Sequence, residues 1–183
     1  MTKQEFETFL EAKAIEAKTP NAIDWDARKQ EWLDALQRFY DEVEIWLTDY
    51  LRSAKIGMER RDVTLEEENL GAYRAESRVL TIGANRVVLR PIGAQLVGAR
   101  GRVDMEGPKG TVKFILTGKH SNGIRISVSV VPPEGSAAAS AREPQPESSE
   151  EWVWKIATPP PKVRFIELTP EAFFDALMEI VNG

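Results

Sequence analysis

The sequence predicts a single α+β domain in which a curved antiparallel β-sheet of about six or seven strands is packed by helices. Two helices, one of them long, are predicted before the sheet and one after it. Three observations predict this fold class. Apolar residues recur at helical spacing near both ends of the 183-residue chain, they alternate with polar residues through its middle, and short turn sequences separate the alternating segments. Within the domain 1–183 we expect a helical N-terminal segment (1–52), sheet segments (62–131 and 151–168), a flexible loop (132–150) and a C-terminal helix (169–182).

The N-terminal segment has the pattern of two helices. Thr2 and Glu5 have capping-box spacing, and apolar residues follow at helical spacing to about residue 17. Asp24 can cap a second, longer helix. Its apolar stripe is rich in aromatic residues: Trp25, Trp32, Leu36, Phe39, Val43, Trp46 and Tyr50. We expect this stripe to face the sheet, and a stripe so wide could also meet another chain.

Apolar and polar residues alternate with a period of two, which predicts the strands and shows which of their two faces the helices cover. The turn sequences between the alternating segments are short, which favours a meander of hairpins over parallel crossovers. Residues 132–150 contain no aromatic and no β-branched residue, so we expect a flexible loop joining two strands. Thr169 and Pro170 predict the start of the C-terminal helix. The residues expected at the centre of the core are Phe9, Leu36, Phe39, Trp46, Val103, Phe114, Ile126, Trp152, Trp154 and Phe173.

Charge is strongly segregated along the chain. Residues 71–131 carry 10 Lys and Arg against three acidic residues, whereas 1–70 carry 10 against 17 and 132–183 carry 4 against 9. One interpretation is that the acidic helices lie near a basic sheet; the other is that a basic surface is kept for an anionic partner. By strand parity, six candidate binding residues project from the face away from the helices, and a seventh, Arg100, lies close by. The six are Arg86, Arg90, Arg102, Lys113, Arg125 and Lys155.

The composition of the chain argues against several classes of function. The chain has no Cys and one His, so it offers no disulfide, thiol nucleophile or Cys-type zinc site. His120 lies in a predicted turn, where we expect it to be solvated. We therefore assign no catalytic residue, metal ligand or cofactor. No apolar run approaches the ~18 residues of a membrane span. The residues Met1–Glu5 lack the profile of a signal peptide, which predicts a cytoplasmic location and no membrane partner.

The main catalytic alternative is a pair of carboxylates. Asp104 and Glu106 are two positions apart on a predicted strand, hence on one face at ~7 Å, a separation that suits acid/base chemistry or a hard cation. Arg100 and Arg102 flank them, and an arginine beside a carboxylate on a solvated sheet face is typical of an ion pair. We expect ion pairs here.

The leading functional hypothesis is a non-catalytic, bacterial-type protein-interaction module, such as an immunity-like inhibitor, an adaptor or an assembly subunit. Its expected surfaces are the basic sheet face, for an acidic protein partner, and the aromatic helix. The first alternative is a small-molecule or anion-binding domain, or a hydrolase-like enzyme using Asp104 and Glu106. Nucleic-acid binding through the Arg/Lys face is a weaker alternative, because the net charge is −5 and the strand aromatics share parity with the apolar face.

Overall fold

The computed structural model describes Glu7 and residues 23–94, 98–121 and 151–183. In these ranges the elements are α1 (Trp25–Arg52), β1 (Ile56–Glu67), β2 (Gly71–Ile82), β3 (Asn85–Gly93), β4 (Gly101–Gly107), β5 (Gly110–Gly118), β6 (Trp152–Ala157), β7 (Phe165–Glu167) and α2 (Pro170–Asn182). The strands form one sheet in the order β1 to β7, and all neighbours are antiparallel. This meander with a long helix before it and a short helix after it confirms the predicted α+β fold class.

Some predicted elements fall outside the described residues. Glu7 is helical, but the rest of the predicted first helix, including Phe9, is not described. The same holds for the predicted strand 124–130 with Ile126, and for the predicted loop 132–150.

Helix α1 begins where the sequence predicts. The Asp24 side chain accepts a hydrogen bond of 3.0 Å from the Ala27 amide, which satisfies one of the free donors of the first turn. The middle of the aromatic-rich stripe is buried: Trp32, Leu36, Phe39 and Val43 are all at most 3% exposed, as are Tyr40 and Leu47 beside it. Trp25 and Trp46 are half-buried, and Tyr50, near the C-terminal end of the helix, is 42% exposed. The middle of the stripe therefore packs in the core.

Both helices pack on one face of the central strands. Phe114 of β5 contacts Phe39 of α1 with ring centroids 5.2 Å apart, and Phe173 of α2 at 6.1 Å. Gly101, the first residue of β4, lies directly under the indole of Trp32, where a Cβ would overlap the ring. The helices therefore sit close to the strands, and the helix-covered face is the apolar face that the alternation predicts.

The sheet begins earlier than predicted, at Ile56 rather than at residue 62. Of the first seven residues of β1, only Ile56 and Met58 are large and apolar, and the stretch 59–62 is charged and exposed. Charged side chains are common on edge strands, because they oppose pairing with other chains, and they hide the alternating pattern.

The face of the β1–β2 hairpin that points to the core changes along the length of the hairpin. Met58 pairs with Leu80 and both contact the core, but Leu65 and its partner Tyr73, which have the opposite parity, contact the core as well. The register is continuous between the two pairs. Two-stranded ribbons twist more strongly than wide sheets, and such a twist turns the second face of the hairpin towards the core.

Candidate functional site

Five of the seven candidate binding residues lie on the sheet face opposite the helices, which we call the outer face. They are Arg86, Arg90, Arg102, Lys113 and Lys155. Each is followed or preceded along its strand by residues that are buried on the helix side, such as Leu89, Val103 and Phe114. Arg125 lies outside the described residues.

Arg100, which is predicted to lie close to the outer face, contacts α1 on the helix side instead. Its guanidinium carbon lies 4.1 Å from the ring centroid of Trp152, and its Nη1 is 3.1 Å from Glu31 of α1. Trp152 itself is only half-buried under this guanidinium. Strand β4 begins at Gly101, so Arg100 precedes the regular pleat and strand parity does not fix its direction.

Two of the outer-face arginines are neutralised by carboxylates. Arg102 donates from Nε and Nη2 to the two oxygens of Asp104, each at 2.6 Å, and Arg90 donates to both oxygens of Glu106 at 3.2 and 3.1 Å. The hydrogen bonds from Arg102 to Asp104 raise the pKa of Arg102. Both carboxylates are thus engaged in bidentate pairs, as the ion-pair interpretation expects, and this arrangement disfavours acid/base chemistry at Asp104 and Glu106.

Lys155 also has an internal role. It is 7% exposed, and its ammonium donates to the carbonyl oxygens of Lys119 and Ser121, both at 2.7 Å. These bonds hold the turn after β5 against β6. Arg86 and Lys113, by contrast, are exposed and form no salt bridge within the described ranges.

A groove with a volume of about 710 Å³ opens at the sheet edge beside residues 110–112 of β5 and is lined from both faces of the sheet. Arg102 and Lys113 line it from the outer face, and Lys109 lines it from the turn between β4 and β5. On the helix side, α2 contributes Asp175 and Glu179, which are exposed. Apolar side chains complete the lining: Val112, Ile115, Val163, Phe165 and Ile166. We call this feature the basic groove.

The basic groove contains a segment of strand with one neighbour. Strand β6 pairs with β5 only from Lys113 onward, whereas β4 pairs with β5 from Gly110. Among the described residues, 110–112 therefore have a partner strand on the β4 side alone. Edge backbone of this kind can pair with another extended segment.

Sequence reasoning missed a buried arginine. Arg78 of β2 is 0% exposed and faces α1, where Nε is 3.1 Å from Glu44, and its Nη1 is 2.7 Å from Glu76. Its guanidinium lies 4.3 Å from the ring centroid of Tyr40. The sequence feature that could have indicated a buried basic partner is Glu44, a carboxylate that lies beside the apolar stripe of α1, immediately after Val43.

A cluster of three arginines was also missed. Arg28 and Arg38 of α1 line a small cavity of about 90 Å³ together with Arg100, Glu31 and Trp152. The pKa of Arg28 is lowered, first by burial and then by the nearby positive charge of Arg100. The signal was the spacing of Arg28, Glu31 and Arg38, three and seven residues apart, which places all three on one face of a helix. We call this cavity the arginine pocket.

The described ranges contain no group of three or more His, Cys, Asp or Glu that could hold a metal ion, and His120 is exposed. Neither helix in those ranges has both the length and the apolar character that crossing a membrane requires. The chain matches no protein-family model, no curated protein and no solved structure. Geometry and charge are therefore the only guides to its function.

Proposed function

We propose that the protein is a non-catalytic interaction module that binds an extended, acidic segment of a partner protein in the basic groove. The observation that carries the proposal is the juxtaposition, in a single groove, of apolar side chains, two lysines without a salt bridge and strand backbone with a partner on one side, all judged within the described residues. Lys109 and Lys113 supply the charge, and residues 110–112 supply the backbone.

Charge supports an acidic partner. Lys109 and Lys113 are exposed and have no salt bridge among the described residues, so a carboxylate of the partner gains an unpaired cation. Arg102 contributes less, because Asp104 occupies two of its donors. Asp175 and Glu179 lie on the α2 side of the groove and repel acidic side chains there, so the acidic side chains of the segment are directed to the outer face, where Lys113 lies.

The strand edge supports an extended conformation. A segment added beside 110–112 continues the sheet past the end of β6 and forms main-chain hydrogen bonds, while its alternate side chains point to opposite faces. Val112 offers an apolar contact to the side chains that point to the helix side, and Ile115 and Phe165 offer apolar contacts beside Lys113 on the outer face. Protein-protein interfaces combine an apolar centre with a polar, solvent-accessible rim, and the exposed lysines are suited to such a rim.

Nuclear magnetic resonance of the ¹⁵N-labelled protein tests this proposal with a defined probe, an eight-residue peptide that alternates glutamate and valine. The expected result is saturable shifts of the amide signals of residues 110–113, with little response to a matched peptide of alternating lysine and valine. Equal responses to both peptides, or shifts confined to the far end of the sheet, would contradict the proposal.

A pair of variants separates local from general charge effects. Lys109→Gln combined with Lys113→Gln removes two charges from the groove and should weaken binding of the acidic peptide at least tenfold. Arg52→Gln combined with Lys55→Gln removes the same charge from exposed positions around the C-terminal end of α1 and should leave the affinity unchanged. If both double variants weaken binding equally, net charge rather than the groove is responsible.

A further inference from the structure

We infer that the arginine pocket binds a phosphate group, as the free ion or as a monoester. This site is independent of the proposed function, because the pocket lies on the helix side of the sheet and shares no lining residue with the basic groove. Its guanidinium groups come from two different regions of the chain: Arg28 and Arg38 from one face of α1, and Arg100 from the backbone that enters β4.

The charge in the pocket is out of balance. Three arginines line it and Glu31 is the one carboxylate among its described lining residues, so the formal charge of the lining is +2. Glu31 forms its salt bridge with Arg100, whereas neither Arg28 nor Arg38 forms a salt bridge within the described residues. A phosphate monoester carries about −1.5 to −2 at neutral pH, which matches this excess better than a carboxylate does.

Hydrogen bonding points to a missing acceptor as well. The Nε of Arg100 is buried and has no hydrogen-bond partner among the described residues, although its Nη1 is bonded to Glu31. A buried donor without an acceptor is costly, and an oxyanion oxygen in the cavity can supply the acceptor. The stacking of Arg100 on Trp152 holds the guanidinium plane in place. The donor is thus fixed before any ligand enters.

Burial strengthens the interaction of Arg28 with an anion. Its pKa is lowered by desolvation and by the charge of Arg100, so the two like charges are held together at a cost. An anion placed between them relieves that repulsion. The cavity volume of about 90 Å³ suits a group of phosphate size rather than a whole nucleotide.

Thermal unfolding in a phosphate-free buffer tests the inference. Sodium phosphate should raise the Tm with a saturable dependence on concentration, while sodium chloride of matched ionic strength should not. Arg38→Gln should raise the dissociation constant for phosphate at least tenfold, since a hydrogen bond to a charged group is worth about 1.5–3 kcal/mol. Arg38 is exposed and has no salt bridge in the described residues, so its replacement should leave the fold intact.

Controls make the result specific to this pocket. Arg52→Gln removes an exposed arginine from the last turn of the same helix and should leave phosphate affinity unchanged. Arg28→Gln should weaken binding as Arg38→Gln does. Equal stabilisation by phosphate and chloride, or unchanged affinity in both pocket variants, would overturn the inference. Comparing inorganic phosphate with O-phosphoserine then identifies the source: tighter binding of phosphoserine indicates a monoester, and tighter binding of the ion indicates free phosphate.

Discussion

Arg78 and Glu44 form an ion pair beneath helix α1, with Nε 3.1 Å from Oε1, at a position where Arg78 is completely hidden from solvent. A guanidinium does not lose its proton in a protein, so the charge must be balanced where it lies. Glu76 accepts from Nη1 at 2.7 Å and the ring of Tyr40 covers one face. Together they tie the middle of α1 to β2, on the helix side of the sheet.

Replacing Glu44 with alanine should destabilise the protein by about 1–3 kcal/mol, because the buried Nε of Arg78 loses its acceptor and Glu76 remains as the one carboxylate paired with this guanidinium among the described residues. Urea unfolding monitored by tryptophan fluorescence measures the loss. Glu42→Ala removes an exposed carboxylate from the same helix and should change the free energy of unfolding by less than about 0.5 kcal/mol. Equal effects of the two substitutions would show that Arg78 does not depend on Glu44.

The approach of α1 to the sheet gives a second prediction. Gly101→Ala should lower the free energy of unfolding by about 1–3 kcal/mol, because the added methyl group overlaps the buried indole of Trp32 and forces it to move. Gly110→Ala is the matched control: it is exposed, and a Cβ there meets no atom within 4 Å. Thermal unfolding of both variants is the measurement. A Gly101→Ala protein as stable as Gly110→Ala would contradict such close packing.

The fold class could be predicted because apolar and polar residues alternate in strands such as β3 and β4. Positions such as Val103 and Met105 in β4 alternate with polar residues and are buried on the side of the helices. The pattern failed in the β1–β2 hairpin, where both parities reach the core. Twist of a two-stranded ribbon is a property of the folded backbone, and a period of two does not reveal it.

The candidate site was only partly predictable. Parity located Arg102 and Lys113 on one face, since both lie inside regular strands. Parity does not fix the direction of Arg100, which precedes its strand, and it gave no indication that Arg28 and Arg38 line the same cavity as Arg100. Such a meeting depends on how α1 lies across the sheet, and this is fixed by packing between residues far apart in sequence.

The two outer-face ion pairs should differ in their contribution to stability. Asp104 is buried, with its side chain 10% exposed, so Arg102→Gln leaves a carboxylate poorly solvated and should cost about 1–3 kcal/mol. Arg90 and Glu106 are 53% and 38% exposed, so Arg90→Gln should cost less than about 1 kcal/mol. Urea unfolding of the two variants compares them directly. A larger loss for Arg90→Gln would mean that burial does not decide the strength of these pairs.

Alkaline pH should destabilise the protein through Tyr40. Burial raises the pKa of Tyr40 above its ordinary value of 10.0, although the charge of Arg78 opposes the shift. Its hydroxyl donates to the carbonyl oxygens of Glu76 and Leu89 at 2.9 and 3.3 Å, and both bonds require the proton. Above the ordinary pKa the unfolded chain therefore binds fewer protons than the folded protein, and stability falls as the pH rises.

The size of this effect follows from the linkage of protons to folding. Between about pH 9 and about pH 11, the free energy of unfolding of the wild-type protein should fall by about 1.4 kcal/mol more than that of Tyr40→Phe, which has no hydroxyl proton to lose at this position. Urea unfolding at the two pH values gives the four free energies needed. Other groups that titrate in this range, including Tyr73, whose pKa is also raised by burial, are present in both proteins and cancel in the comparison. Parallel losses in the two proteins would show that the Tyr40 hydroxyl ionises equally in the folded and unfolded states.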